Sequence, residues 1–383
     1  MKRAISTLSA VILAVFFLWI PAAPCASAAG GTDVWVNNVY LSTGSPYWKN
    51  GDLPASADDW NAYYDDSTST LTLKDAVITN AYTAPSGAAL IFADGPLHLV
   101  LTGASTLSRT ETVSPTLNGV CALGALTVSG SGSLEIALSD PVALSTVSGL
   151  VSADTITVNA GSQSINIGGR FTFGLSALFG LVIAGGDTEI EANGSEQSIL
   201  LYVDNGGFRM SGGTFWGAAL SDVSAAGIAS LGVVFTGGEG EFYAQSAGFA
   251  VGLFNLNPVL YVSGGHFKFA GDTWALTAPI SSSDPLDLRL NNVKTYVSET
   301  ADSFAKRLWT SEADGRLVTT IGNFSPFLYA EFQGTGITAA PQTGDVSRPW
   351  LWAGIALLSL LGAAGLAAAR RKRSGETKHH AVL

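Results

Sequence analysis

The sequence predicts an all-β solenoid, a chain that coils through successive turns of short strands. Three observations support this fold class. Charged residues fill only 13% of the 383 positions, against ~25% in ordinary soluble proteins, while 44 glycines supply many tight corners. Apolar and polar residues alternate over short runs, as strands require. Nine such runs recur at nearly constant spacing along the chain.

The N-terminus predicts an exported protein. Two basic residues precede an apolar run over residues 10–23, and the small residues that signal peptidases require end at Ala28. We therefore interpret residues 1–28 as a signal peptide. Its removal takes Cys25 away and leaves Cys121, a small apolar residue, as the single cysteine, so no intramolecular disulfide is expected.

Two segments that break the repeat are interpreted as caps, because the ends of a solenoid expose unpaired strand edges. Residues 32–70 precede the first copy and are rich in aromatic side chains. Residues 299–339 follow the last copy and combine a helix-compatible run that ends at Trp309 with a strand-like run over residues 327–332. We predict an N-terminal aromatic cap and a C-terminal cap from these segments.

The repeat itself has a corner in each copy, flanked by two short apolar runs. The steps between successive corners are 28, 27, 30, 25, 27, 25, 27 and 27 residues. A period of this length indicates a solenoid, and the consensus of the leucine-rich repeat, which has a similar period, is missing. The corners are at Asp75, Gly103, Gly130, Ala160, Gly185, Gly212, Gly237, Gly264 and Asn291.

Short strands joined by corners at this period resemble the right-handed parallel β-helix, in which each turn, or rung, stacks on the one before. The resemblance implies about nine rungs over residues 71–298. Leu260, Val262, Phe267 and Phe269 alternate within one copy as inward positions should. We therefore expect stacks of Leu, Val, Ile and Phe inside the coil, with Ser, Thr, Asp and Glu outside.

The C-terminus carries three features in a fixed order. A P-x-T-G motif comes first, an uncharged stretch of 20 residues spans 350–369, and four basic residues end at Arg373. A helix over that stretch is long enough to cross a ~30 Å hydrocarbon layer, and the basic flank predicts a cytoplasmic C-terminus. The motif consists of Pro341, Gln342, Thr343 and Gly344.

This order resembles the cell-wall sorting signal of Gram-positive surface proteins, although Ala340 stands where that signal usually has Leu. The resemblance implies that residues 340–373 are read by a sortase, which would cleave between Thr343 and Gly344 and transfer the protein covalently to peptidoglycan. The protein would then be secreted, held by one membrane span before processing, and displayed on the cell wall. The alternative is an ordinary single-span anchor with a chance motif upstream.

Composition and motifs exclude several classes of function. A net charge of −11 argues against nucleic-acid binding, which needs a basic surface. The H-E-x-x-H, C-x-x-C, G-x-x-x-x-G-K and G-x-S-x-G motifs are missing from the sequence. We therefore predict no catalytic residue and no cofactor.

Five carboxylates leave a metal or enzyme hypothesis open. Three alternate along one strand, and two stand two copies later at the matching place, so they would share one outer face. Such a column could bind Ca²⁺ or act as general acid and base. A solvated face is the simpler interpretation, because a lyase also needs a nearby Lys or Arg and residues 171–208 contain neither. The five are Asp187, Glu189, Glu191, Glu239 and Glu241.

The aromatic residues of the N-terminal cap are the best binding candidates, because sugar rings stack on exposed indole and phenol faces. The alternative is that these rings plug the first rung. The candidates are Trp35, Trp48, Trp60, Tyr63 and Tyr64.

These features together predict a non-catalytic cell-surface protein that serves adhesion or binds glycans or a host surface. The order of segments, with V-W-V-N-N-V at Val34 and an aromatic run from Trp60, resembles a group of repeat-bearing Gram-positive surface proteins. Some members of that group are described as carbohydrate-binding. The rival hypothesis is a wall-associated polysaccharide lyase or glycoside hydrolase, since β-helices house both.

Overall fold

A computed structural model confirms an all-β chain that folds as a parallel β-solenoid of about seven turns. It describes residues 32–51, 55–84, 87–110, 115–140, 145–255, 259–278, 287–301, 306–310, 319–320 and 327–334, and these ranges contain no helix. All of them belong to one compact unit, residues 1–336.

The strands fall into three groups along the chain. The N-terminal strands are β1 (Val34–Val36), β2 (Val39–Leu41), β3 (Tyr47–Trp48) and β4 (Ala62–Asp65). The coil contains β5 (Thr70–Lys74), β6 (Val77–Ile78), β7 (Tyr82–Ala84), β8 (Gly87–Ala93), β9 (Leu97–Thr102), β10 (Ala104–Arg109), β11 (Thr116–Ala122), β12 (Leu126–Gly130), β13 (Ser133–Ser139), β14 (Thr146–Ser152), β15 (Thr155–Val158), β16 (Ser162–Ala177), β17 (Gly180–Ile183), β18 (Asp187–Val203), β19 (Gly207–Met210), β20 (Thr214–Ser221), β21 (Ser224–Ser230), β22 (Val233–Phe235), β23 (Glu239–Ser246), β24 (Phe249–Asn255), β25 (Val259–Val262), β26 (His266–Gly271) and β27 (Trp274–Ala278). The C-terminal strands are β28 (Asp287–Leu290), β29 (Val293–Ser298), β30 (Arg307–Leu308), β31 (Thr319–Thr320) and β32 (Tyr329–Gly334).

Each turn of the coil adds one strand to each of three parallel sheets. The first sheet runs from β5 through β9, β12, β15, β17, β19, β22 and β25 to β28. The second sheet runs through β6, β10, β13, β16, β18, β20, β23 and β26. The third sheet runs through β8, β11, β14, β16, β18, β21, β24 and β27. Strands β16 and β18 belong to both because each bends from the second sheet into the third.

The core confirms the predicted inward stacks. In the first sheet one buried residue of each strand from β9 to β25 pairs in register with the next, and each is at most 2% exposed. In the second sheet the Phe242 ring lies 4.7 Å from Phe215 and 5.1 Å from Phe269, centroid to centroid, and both pairs are stacked. The first-sheet stack consists of Leu97, Leu126, Ile156, Leu181, Phe208, Val233 and Leu260.

The corners use residues that tolerate a left-handed backbone. Gly238 has φ of 90°, and a Cβ built there would lie 2.8 Å from the carbonyl oxygen of Gly212 in the previous turn. At the two ends of the coil Asp75 (φ 51°) and Asn292 (φ 55°) take this conformation instead, and Asp and Asn are among the residues that do so most readily. Glycine in the middle turns therefore allows successive corners to approach closely.

The coil has about seven turns, fewer than the nine rungs predicted. At its C-terminal end the last copy of the repeat does not complete a turn. Strand β28 still stacks in parallel on β25. The next strand, β29, pairs with β32 in the antiparallel sense, and β32 takes the antiparallel place beside β26. An antiparallel strand ends the parallel stacking, as β1 does beside β8 and β4 does beside β5 at the other end.

Several predicted segments lie wholly or partly outside the described residues. These are the signal peptide, the sorting motif, the span over 350–369 and the basic tail. The helix-compatible run of the C-terminal cap lies partly outside them, and its described end, Arg307–Leu308, is a strand that pairs with β29. Within the described ranges no helix has the length and apolar character needed to cross a bilayer. The right-handed sense of the coil stays a prediction.

Candidate functional site

The aromatic candidates of the N-terminal segment separate into three places. Trp48 (6% exposed) and Tyr64 (2% exposed) point into the core. The Tyr64 hydroxyl donates a hydrogen bond to the carbonyl oxygen of Thr32 at 2.6 Å. These two side chains close the start of the solenoid, so their rings offer no face to a sugar.

Three partly exposed rings lie together on the outer surface of the first sheet. Tyr47 and Tyr63 pair across β3 and β4, and their rings stack with centroids 5.1 Å apart. The Trp60 ring lies 5.9 Å from Tyr63, and Lys74 Nζ stands 5.8 Å from the Trp60 centroid. We call Tyr47, Trp60 and Tyr63 the N-terminal aromatic patch.

Trp35 belongs to a different cluster, beside the third sheet. Its ring stacks on Tyr82 at 4.4 Å and lies 5.6 Å from Phe92. Tyr40 packs at 5.1 Å and donates a hydrogen bond to Asp33, which raises the pKa of Tyr40 to about 12. The two tyrosines and Phe92 thus surround much of the Trp35 ring.

Carboxylates lie near the aromatic patch. Asp59 forms an ion pair with Lys49 and keeps 63% of its side chain exposed. Hydrogen bonds from Ser67 and Thr68 lower the pKa of Asp65. Both carboxylates are therefore acceptors on the surface that carries the rings.

The five acidic candidates lie on the outer surface of the second sheet. Strand β18 carries three of them and β23 carries two, and β20 runs between these strands. Trp216 on β20 pairs in register with Glu189 on one side and Glu241 on the other. Neighbouring strands are ~4.8 Å apart, so the backbones that carry Glu189 and Glu241 are ~9.6 Å apart, and the Trp216 indole lies between the two carboxylates.

The same row continues through charged residues to the C-terminal cap. Glu241 pairs with Lys268, Lys268 with Glu331, and Glu331 with Tyr296. Lys268 Nζ lies 2.6 Å from Glu241 Oε1, and the Tyr243 hydroxyl donates to Glu241 Oε2 at 3.1 Å. We call this row the outer row: Glu189, Trp216, Glu241, Lys268, Glu331 and Tyr296.

Glu331 is the most deeply buried charge of the row, with 2% exposure. Its carboxylate lies 2.8 Å from His266 Nε2 and 2.8 Å from Lys306 Nζ, and it accepts a hydrogen bond from Tyr329 at 2.5 Å. Burial opposes ionisation, but the three hydrogen bonds outweigh it and lower the pKa of Glu331 to about 2. The ionised carboxylate of Glu331, which belongs to the cap, therefore holds the cap to His266 of the coil.

Sequence reasoning missed Trp216 and Lys268, although the repeat contains the signal for both. Glu189, Trp216, Glu241 and Lys268 each stand four positions after a corner of the repeat. Residues 171–208, around the first three carboxylates, contain no basic residue, whereas stacking brings Lys268 to Glu241 from the next turn. Glu331 gives no such signal because it comes from an antiparallel strand of the cap.

The acidic surface does not form a metal centre among the described residues. No group of three or more His, Cys, Asp or Glu side chains in those ranges is arranged to hold an ion. Trp216 keeps the two acidic strands apart, and Glu241 already holds Lys268 and Tyr243. His98 is not on this surface: it lies on the first sheet, where its Nε2 is 2.7 Å from Ser129 Oγ.

Comparison with known proteins gives no family. No family model matches the chain, and no curated protein or solved structure is significantly similar to it.

Proposed function

We propose that the chain is a cell-surface protein that binds glycans through its N-terminal aromatic patch and carries out no catalysis. The observation that carries the proposal is the grouping of Tyr47, Tyr63 and Trp60, three partly exposed rings on one outer surface. Rings in such a row offer successive flat apolar faces, which suits the C–H faces of consecutive sugars.

The polar groups around the patch support this type of ligand. Asp59 and Asp65 are acceptors for sugar hydroxyls, and the Lys74 ammonium beside Trp60 is a donor. An aromatic floor with a few polar groups at its edge fixes both the position and the orientation of a sugar ring.

Display on the cell wall is the second part of the proposal. Export is supported by the signal-peptide pattern. The apolar span and the basic tail support a single membrane span with a cytoplasmic C-terminus, and the P-Q-T-G motif ahead of them supports transfer by a sortase to peptidoglycan.

We also propose the right-handed sense for the coil. Nine parallel strands in the first sheet extend it by about 38 Å, with the patch at its N-terminal end.

A polysaccharide lyase or hydrolase is the second candidate, favoured by Lys268 beside Glu241. That pair supplies the basic residue that a lyase requires next to a carboxylate. The contact also ties the two groups to each other, which opposes their use on a substrate. We therefore rank binding above catalysis.

A glycan array tests the proposal with the full chain and two variants. The double variant Trp60→Ala/Tyr63→Ala removes two rings of the patch. Phe179→Ala is the matched control, since Phe179 is an aromatic residue that is 55% exposed elsewhere on the coil. We expect the double variant to lose the array signals and the control to keep them.

Two results would contradict the proposal. Equal binding by the double variant would move the site away from the patch. Release of unsaturated or reducing sugar ends from a polysaccharide, abolished by Glu241→Gln, would favour the enzyme instead.

A further inference from the structure

We propose that the outer surface of the second sheet is a second binding surface, and that it takes glycans with free amino groups. The inference rests on the proposed glycan-binding role but uses other residues. The surface is centred on Trp216 and bounded by the carboxylates of β18 and β23, and we call it the acidic aromatic surface. Those carboxylates are Asp187, Glu189, Glu191, Glu239 and Glu241.

The arrangement of Trp216 suits a cationic ligand. Its indole is partly exposed, and the side chains beside it on the same strand, Thr214 and Ala218, are small. Glu189 and Glu241 lie one strand away on either side. An ammonium group above the indole would therefore meet the ring and a carboxylate at once, and both attract it.

The charge of this surface is strongly unbalanced. Among the described residues, the strand beyond β23 brings two basic side chains to this surface: Lys268 pairs with Glu241, and His266 bonds to Glu331. Burial, and after it the neighbouring charge of Glu189, raises the pKa of Glu191. A cationic ligand relieves this repulsion, whereas a uronate polymer would add to it.

The chain itself holds ammonium groups by the same chemistry further along the outer row. Lys268 Nζ lies 2.6 Å from Glu241 Oε1. Lys306 Nζ lies 2.8 Å from Glu331 Oε2 and 5.4 Å from the centroid of the Tyr296 ring. The pairing of a ring with a carboxylate around an ammonium group is thus already present four strands from Trp216 in the same row.

An amino sugar matches the surface better than other cations of similar charge. The C–H face of its ring stacks on the indole, its ammonium group pairs with Glu189, and its hydroxyls donate to the other carboxylates. In a β-linked polymer of such sugars the charge recurs along the chain, as the carboxylates do along the sheet. Acetylation of the nitrogen removes the charge while keeping the ring, which provides a matched probe.

Calorimetric titration of the full chain tests the inference with three soluble probes. They are glucosamine oligomers, the N-acetylated oligomers of equal length, and oligogalacturonate, in mildly acidic buffer of low ionic strength. We expect the glucosamine oligomers to bind at least tenfold more tightly than the acetylated ones, and oligogalacturonate to show no heat. Added salt should weaken the binding, because it screens charges on an exposed surface.

Three variants locate the binding. Trp216→Ala should weaken the binding of glucosamine oligomers about fivefold or more, as loss of a cation–π contact predicts. Glu189→Gln keeps the side-chain size and removes one charge, and it should weaken binding severalfold. Glu135→Gln is the control, because Glu135 lies in the same row two strands from Glu189 and away from the indole.

The outcomes separate this inference from the proposed function. Equal affinity for the acetylated oligomers, or an equal effect of Glu189→Gln and Glu135→Gln, would overturn the inference and leave the N-terminal patch unaffected. Loss of glucosamine binding in Trp60→Ala/Tyr63→Ala but not in Trp216→Ala would also overturn it. Binding that depends on Trp216, with every other glycan unbound, would support it and contradict the role of the N-terminal patch.

Discussion

His266 Nε2 lies 2.8 Å from Glu331 Oε1, at the place where the parallel stacking of the second sheet ends. His266 belongs to the last parallel strand, and Glu331 belongs to the antiparallel strand that covers it. Lys306 and Tyr329 bind the same carboxylate. One buried charge thus connects two parts of the C-terminal cap, strand β32 and Lys306, to the coil.

Acid should loosen this junction. The pKa of Glu331 falls from 4.5 to about 2 on folding, so its contribution is complete above pH 4.5 and is lost as the pH falls toward 2. This difference in pKa corresponds to about 3 kcal/mol in the free energy of unfolding. Urea unfolding followed by circular dichroism at a series of pH values should show this loss of stability.

The variant Glu331→Gln tests the assignment of that pH dependence. It removes the titrating group but keeps the size of the side chain, so stability should be lower at neutral pH and should change less between pH 4.5 and 2. An unchanged pH dependence in the variant would assign the effect to other carboxylates. Glu135→Gln, on the exposed outer surface, serves as the control for removal of one charge.

A charge inside the first sheet should unfold the coil. Val262 is fully buried and stacks between Phe235 and Leu290. The substitution Val262→Asp places an unpaired carboxylate in this apolar stack and should cost more than about 3 kcal/mol. Tyr261→Asp, one residue away on the outer surface, should cost far less, and thermal melts of both proteins would show the difference.

The corner glycines should differ in their tolerance of a side chain. Gly238→Ala forces a left-handed backbone on alanine and brings its Cβ to 2.8 Å from the carbonyl oxygen of Gly212, so we expect a loss of about 1–2 kcal/mol or more. Gly232→Ala is the matched control, because a Cβ there meets no atom within 4 Å. Equal melting temperatures would show that the corner adapts without strain.

The sequence was sufficient to predict the coil because its pattern is local and periodic. Leu126, Val233 and Leu260 recur at the period of the turn, and each is buried in the same stack. Part of the overestimate in the number of turns comes from the copy at Asn291, which has the same local pattern as the others. Its different pairing depends on β32, which lies nearly forty residues later in the chain.

The candidate surfaces were predictable only in part, for a similar reason. Alternation alone shows that Glu189 and Glu241 point outward, and the repeat places Trp216 between them. Composition cannot tell which rings of an aromatic cap face inward. Trp48 is buried, whereas Tyr47, the residue before it, and Tyr63, which pairs with Tyr47 across the strands, are partly exposed. That choice depends on the antiparallel pairing of β3 and β4.

The sorting motif provides the last prediction, which concerns attachment in a Gram-positive host that has a sortase. Thr343→Ala removes the residue whose carbonyl the enzyme would attack in a P-x-T-G motif, so the protein should move from the fraction released by muramidase to the membrane fraction. Gln342→Ala is the matched control, because the motif leaves that position free, and it should stay linked to peptidoglycan. Immunoblots of the two fractions measure the distribution. Recovery of the unaltered protein from the membrane fraction alone would show that the apolar segment over 350–369 acts as a plain anchor and that Ala340 abolishes recognition.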